Sequence, residues 1–204
     1  MYTDSPHLFL DLDGTIISVA SRHFLVFQKV AASLSLPEIS QEIYWKRKRK
    51  HLLPWEGMDE TRSKEFRNQF KKESEDPQSL VLDSIIPKME IVLKELRQSY
   101  SLVLLTKRHN REHLLSQLKQ LTLLPLFSDV LTPTDEKSQA IISYGYTPVD
   151  WVIGDTEEDI TSAHDVGLQS IAVTWGLRDE EYLQQYSPTY ITETVLDLRN
   201  VLLH

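Results

Sequence analysis

The sequence predicts an α/β protein, a parallel sheet with helices on both faces and an all-helical insertion near its start. Three observations predict it. Short, nearly continuous apolar runs recur along the chain, and segments with helical periodicity lie between them. Residues 16–86 break that alternation, with helical spacing and no convincing strand. The first apolar run and the run before Gly154 close onto glycine-containing loops, as strands do where they meet turns. Strands alternating with helices give parallel sheets with right-handed crossovers, buried on both faces.

Each element follows from its local pattern. Leu8-Phe9-Leu10 reads as a buried strand ending at Asp11, with Gly14 close behind. Phe24, Phe27, Val30, Ala31 and Leu34 share one helical face. Pro37 breaks that helix, and Ser40 caps a second over 41–51. A third follows Met58 until Asp76-Pro77 ends it. After Pro87, Met89, Val92, Leu93 and Leu96 form a helical face, and 101–105 is a strand. Leu114, Leu115, Leu118 and Leu121 mark the next helix, and 129–131 a short strand. Ala140, Ile141 and Tyr144 suggest a helix, 150–153 a strand and 157–166 a helix. Residues 169–173 form a further strand, and a last helix starts near Glu193.

With 204 residues the chain fits one sizeable domain with a modest insertion. The expected division is a core over 1–15 and 87–204 and a helical cap over 16–86. No run of about 18 apolar residues exists, so no membrane-spanning helix is expected. Met1–Asp4 lacks the basic and apolar pattern of a secretory leader. The absence of cysteine excludes disulfides and thiolate metal sites and fits a cytoplasmic protein. A net charge of −8 argues against nucleic acid as a partner.

In parallel sheets of this kind, active sites lie at the carboxyl ends of the strands, so polar residues just past the strands should converge. Asp11 and Asp13 follow the first strand, Thr106 ends the second, and Asp155 ends the fourth with Asp159 one helical turn on. Lys137 opens the helix after the third strand. Clustered carboxylates repel unless a cation neutralises them. A hard ion such as Mg2+ suits oxygen donors from the Asp11 and Asp155 carboxylates and the Asp13 carbonyl. A carboxylate at Asp11 can attack phosphorus, and Asp13 can exchange protons with the leaving group and water. Thr106 and Lys137 can hold phosphate oxygens.

Asp11-Leu12-Asp13-Gly14-Thr15 resembles the first motif of the haloacid-dehalogenase superfamily. Leu104-Leu105-Thr106 is similar to the second, Lys137 to the third, and Gly154-Asp155-Thr156-Glu157-Glu158-Asp159 to the fourth. The ordered set covers nearly the whole chain, and its general look is similar to the phosphoglycolate phosphatase-like branch. The resemblance implies a Rossmann-like core and a mobile cap inserted after the first motif. It implies Asp11 as nucleophile and Asp13 as general acid/base. Thr106 and Lys137 would bind phosphate, and Asp11, Asp13 and Asp155 would hold Mg2+, with Asp159 in support. Carbon–halogen-cleaving members lack an acid at the Asp13 position, so phosphoryl transfer is favoured. Phosphonate-cleaving members use a cap lysine, and no local signature supports Lys29 or the lysines from Lys46 onward in that use. Two departures stand out. Lys107-Arg108 follows Thr106 where asparagine is common, which makes Lys107 a rival to Lys137, and no proline follows Lys137.

The run Trp45-Lys46-Arg47-Lys48-Arg49-Lys50-His51 is the chain's one dense cationic cluster. Lys46, Arg49 and Lys50 share a helical face, so Lys46 and Arg49 are candidate cap contacts to an anionic substrate, beside the plainer option of a solvated face. The expected activity is Mg2+-dependent hydrolysis of a small phosphorylated metabolite through an aspartyl-phosphate. The alternatives are a sugar phosphomutase and a binding protein that has lost catalysis.

Overall fold

The computed structural model describes residues 5–204, and the reading of Met1–Asp4 lies outside the described residues. Strand β1 (His7–Leu10) runs into a two-residue strand β2 (Ile17–Ser18) and then four helices, α1 (Ala20–Ser33), α2 (Gln41–Arg49), α3 (Glu60–Ser74) and α4 (Pro77–Leu80). Strand β3 (Ser84–Ile85) then returns antiparallel to β2. The rest alternates: α5 (Met89–Leu96), β4 (Ser101–Leu105), α6 (Arg111–Gln120), β5 (Asp129–Leu131), α7 (Lys137–Tyr144), β6 (Trp151–Gly154), α8 (Glu157–Asp165), β7 (Gln169–Val173), α9 (Glu180–Gln184), β8 (Tyr190–Thr192) and α10 (Val195–Leu203).

The α/β expectation is met by a six-stranded parallel sheet of order β5-β4-β1-β6-β7-β8. The chain builds outward from β1 first on the β4 side and then on the β6 side. The strand order therefore reverses around β1, and the crevice beyond its carboxyl end is the place where such sheets take ligands. The register sets Leu8 opposite Leu102 and Trp151, so the ends of β1, β4 and β6 stand level.

The sheet holds together because both faces are covered. Leu8 and Leu10 pack with Met89, Leu93 and Leu96 of α5 and Leu198 of α10, while Phe9 points the other way to Ile141, Val152 and Ala163. Each large apolar side chain so buried contributes roughly 1.5–3 kcal/mol. This two-sided burial explains why β1 and β4 read as continuous apolar runs rather than alternating ones.

The inserted helices have a separate aromatic core, in which Phe27 packs on Tyr44, Trp55 and Phe66. Ser40 caps α2 by accepting from Ile43 N–H, and Asp59 caps α3 by accepting from Arg62 N–H. Pro77 stands at the start of α4, where its missing N–H costs nothing.

Several elements differ from the sequence expectation. Residues 16–86 do contain strand, the β2/β3 ribbon. Each strand is two residues long and is made by a partner nearly seventy positions away, which no local pattern announces. α9 and β8 went unforeseen because a five-residue helix and a three-residue edge strand are too short to show a period. The last helix begins at Val195 after a capping box in which Thr194 and Asp197 satisfy each other's backbone N–H groups.

Candidate active site

The loop after β1 is the centre of the site. Asp11 continues the sheet ladder by donating its N–H to the Ile153 carbonyl at 2.9 Å, and Thr106 does the same to Leu131 at 3.1 Å. These bonds hold both residues at the strand ends while freeing their side chains for the crevice. Asp11, Thr106 and Lys137 line one cavity of about 270 Å3, together with Asp13, Arg22, His23 and Arg108.

Lys137 Nζ donates to Asp11 Oδ1 and to Asp159 Oδ1, each at 2.6 Å, and all three side chains are buried. Among the described residues, Asp11 Oδ2 accepts no hydrogen bond. Burial lowers the tendency of the Lys137 ammonium to stay charged, but Asp11 and Asp159 outweigh it and push its pKa upward. Lys107, the rival, pairs instead with Glu158.

Asp155 is fully buried at the end of β6. Its Oδ1 accepts from Thr15 Oγ1 at 3.2 Å and its Oδ2 from Leu177 N–H at 2.6 Å. Two glycines let the backbone close on it. A Cβ on Gly14, at φ +91°, would stand 2.1 Å from Asp155 Oδ2, and a Cβ on Gly176 would stand 2.2 Å from the same atom. Burial first, then repulsion from Asp11 and Asp159, raises the Asp155 pKa well above the carboxylate range. Burial likewise raises Asp11 to about 7, opposed by Lys137 and reinforced by Asp159. Three carboxylates thus share one ammonium.

Asp159 splits its oxygens. Oδ2 accepts from Thr156 N–H at 3.1 Å and Thr156 Oγ1 at 2.7 Å, closing a capping box at the start of α8, while Oδ1 serves Lys137. Helix capping and support of the site coexist in one side chain.

Asp13 is placed differently. Arg108 Nε donates to its Oδ2 at 2.5 Å, and Arg108 Nη2 and Arg22 Nη2 each donate to its Oδ1 at 2.6 Å. Burial alone would raise its pKa. The Arg108 guanidinium, then that of Arg22, overrides burial and holds the carboxyl well below the usual range. Behind them, buried Asp83 accepts from Arg22 Nε at 2.8 Å, Arg108 Nη2 at 3.3 Å and Gln117 Nε2 at 2.8 Å. This agrees with the expectation that Asp13 would offer a metal its backbone carbonyl rather than its carboxylate. Both of its oxygens are committed to arginine, and what remains at this position is the backbone carbonyl.

The donor chemistry nonetheless fits a hard divalent cation. Asp11 and Asp155 present carboxylates whose charge is undercompensated, and the raised pKa of each is the cost a cation would remove. Among the described residues, no three His, Cys, Asp or Glu side chains form a ready-made cage. A cation held here would therefore keep several waters, as magnesium does.

The basic helix α2 presents its cations unequally. Lys46 is exposed and stands outside the walls of the cavities around the site. Arg49, also exposed, lines a neighbouring cavity of about 410 Å3 with Gly14, Trp45, Trp175 and Gly176. The half-buried Lys48, not singled out by its spacing with Lys46, turns inward over the Phe70 ring at 5.0 Å.

Arg22, Asp83, Arg108 and Lys48 are the residues that sequence reasoning missed. Arg22 had a readable signal: it stands four residues before Val26 on the buried face of α1. Lys48 stands four residues after buried Tyr44. Arg108 was visible as a departure after Thr106, but its pairing was not.

Residues 8–173 match the family model described as haloacid dehalogenase-like hydrolase. Among the curated relatives that align are a phosphatase and a pyrophosphatase. A phosphoglycolate phosphatase of Synechococcus elongatus is 31% identical over 121 residues, which span 56% of this chain and 57% of that protein. The pyrophosphatase PpaX of Bacillus cereus is 23% identical over 215 residues, covering 96% of this chain and 95% of its own. Among solved structures, a haloacid dehalogenase-like family hydrolase of Streptococcus pneumoniae superposes with a TM-score of 0.80. It is 20% identical and covers 97% of this chain and 98% of its own.

Proposed function

The chain belongs to the haloacid dehalogenase-like hydrolases, and from that premise we propose that it is a Mg2+-dependent phosphatase acting on a small phosphate monoester through an aspartyl-phosphate. The observation that carries the proposal is the Asp11 carboxylate, fixed at the β1 end with one oxygen held by Lys137 and the other without a hydrogen bond among the described residues. Its similarity to a phosphoglycolate phosphatase and a pyrophosphatase points to the same phosphorus chemistry. On this reading residues 16–86 are a cap over the crevice.

Asp11 Oδ2 attacks phosphorus, the ester P–O bond breaks, and the leaving oxygen takes up a proton that Asp13 in its protonated form would supply and then recover from the attacking water. A water oxygen then attacks phosphorus, the aspartyl–phosphate bond breaks, and Asp11 is regenerated as inorganic phosphate leaves. Thr106 and Lys137 hold the phosphoryl oxygens as charge builds on them. Asp11, Asp155 and the Asp13 carbonyl would hold Mg2+, whose charge would offset that of the carboxylates and the phosphate together.

Asp13 is equipped for half of its role. As a carboxylate it can take a proton from the attacking water. To donate one to a leaving group it must first leave the arginines that occupy both its oxygens. This favours a second reading, in which the substrate has a leaving group that needs no proton, such as the phosphate of a phosphoanhydride.

The test is phosphate release from a panel of phosphomonoesters and pyrophosphate, with Mg2+ and with chelator. Turnover should require the metal, vanish in Asp11→Asn, and leave a phosphate adduct on Asp11 detectable by mass spectrometry after acid quench. Folded protein that releases no phosphate from any member overturns the proposal. A rate that climbs steeply with leaving-group acidity supports the second reading over the first.

A further inference from the structure

A second compartment adjoins the catalytic cavity across Phe70, which lines both. Its volume is about 300 Å3. Lys48 and Arg67 come to it from α2 and α3, His51 from the loop after α2, and Arg178 from the segment before α9. Tyr44, Phe66 and Phe70 give it an aromatic wall, and neither Asp nor Glu is part of its lining among the described residues.

The charges in it are uneven. Glu157 accepts from Arg178 Nε at 2.8 Å and Nη2 at 3.2 Å, and also faces His51 at 2.8 Å, so those two groups are compensated from behind. Arg47 and Lys50, the neighbours of Lys48, reach Glu56 and Glu181. Lys48 and Arg67 reach no carboxylate among the described residues. Lys48 lies against an aromatic face instead, where a cation is stabilised only partly. Burial, then Arg178, pushes its ammonium down to about 8, a cost that a bound anion would reverse. The hydroxyl of Tyr44, a residue 2% exposed, is buried without a hydrogen-bond partner among the described residues.

We propose that this compartment binds the carboxylate or phosphate end of an organic anion, with Lys48 and Arg67 as its cations and the Phe66–Phe70 wall against its carbon chain. The same chemistry would suit the far end of the substrate, whose reacting phosphate sits at Asp11, or a separate small anion. The kinetic arm of the test rests on the phosphatase reading above; the binding arm does not.

The binding arm uses 6-phosphonohexanoate, which cannot be hydrolysed, and its carboxylate methyl ester, titrated calorimetrically into the full chain with Mg2+. The free carboxylate should bind wild type about tenfold or more tightly than the ester, as expected for a charge-assisted contact. That ratio should fall toward one in Lys48→Met and drop partway in Arg67→Gln, whose exposed position on α3 keeps folding out of the comparison. A wild-type ratio near one, a ratio unchanged in both variants, or no binding of either compound overturns the proposal. The kinetic arm measures hexanoate as an inhibitor of 4-nitrophenyl phosphate turnover. Competitive inhibition identifies the occupant as the substrate's far end, and mixed inhibition as a separate anion. A normal binding ratio in a protein that hydrolyses nothing would sink the phosphatase reading and leave the compartment standing.

Discussion

Two clusters of buried charge lie side by side at the end of β1, and they are balanced in opposite ways. Around Lys137, three carboxylates (Asp11, Asp155 and Asp159) share one ammonium, and Asp11 and Asp155 are pushed up in pKa. Around Asp13 and Asp83, two carboxylates meet two guanidiniums, and Asp13 is pushed down. The first is short of positive charge and so ready for a cation. The second is neutral overall and ties α1 and the returning β3 end to the loop after β1. Deficit marks where ligands go; balance marks where the fold is latched.

The largest effect should come from deepening the deficit. Lys137→Met leaves three carboxylates with no cation, and removing one partner of a buried pair costs about 3–5 kcal/mol. Urea unfolding without metal should show that loss, and phosphate release should fall at least about a thousandfold. Wild-type stability in this variant would break the comparison.

Unbalancing the second cluster should cost slightly less. Arg108→Gln should destabilise by about 3 kcal/mol at neutral pH. The acid limb sharpens the point. Because the folded Asp13 pKa is depressed, its contribution is present above the unfolded value of about 3.9 and is lost as pH falls below it. Asp83, raised mainly by burial, offsets part of this over the same range. Thermal melts between neutral pH and about 3 should fall less steeply in Arg108→Gln than in wild type.

Filling the deficit should stabilise. Mg2+ at about a hundred times its Kd should add about 2.7 kcal/mol to wild type. Asp155→Asn should lose that gain while melting at or above the wild-type temperature without metal, since it relieves repulsion from Asp11. Equal Mg2+ responses in both proteins would place the cation elsewhere.

The smallest effect concerns the neighbouring compartment. The folded Lys48 pKa is lowered to about 8, so between about 8 and the ordinary lysine value near 10.4 the unfolded chain holds more protons than the folded one. Stability therefore gains from this group as pH rises through that window. The gain should disappear in Lys48→Met, read as a flatter dependence of Tm on pH.

Much of this was legible in the chain itself. The continuous apolar runs of β1 and β4 announced strands covered on both faces, and Asp11, Thr106 and Asp155 stood where such strands end. Lys137 was readable as the first residue of a helix after a strand. What escaped was pairing. Nothing local shows that Arg22 on α1 and Arg108 beside Thr106 both close on Asp13, because those bonds join residues 9 and 95 positions away through the fold. The helical phase of α2 also escaped: spacing groups Lys46 with Arg49, but burial of Tyr44 rotates Lys48 inward.

The sequence by itself determined the alternation of the longer strands and helices and the residues at the ends of β1, β4 and β6, because periodicity and turn chemistry act over a few neighbouring residues. Only the tertiary structure decided which carboxylate meets ammonium, which meets guanidinium, and which cation of the basic helix faces inward. Those outcomes depend on charge balance and burial among groups that folding, not proximity along the chain, brings together.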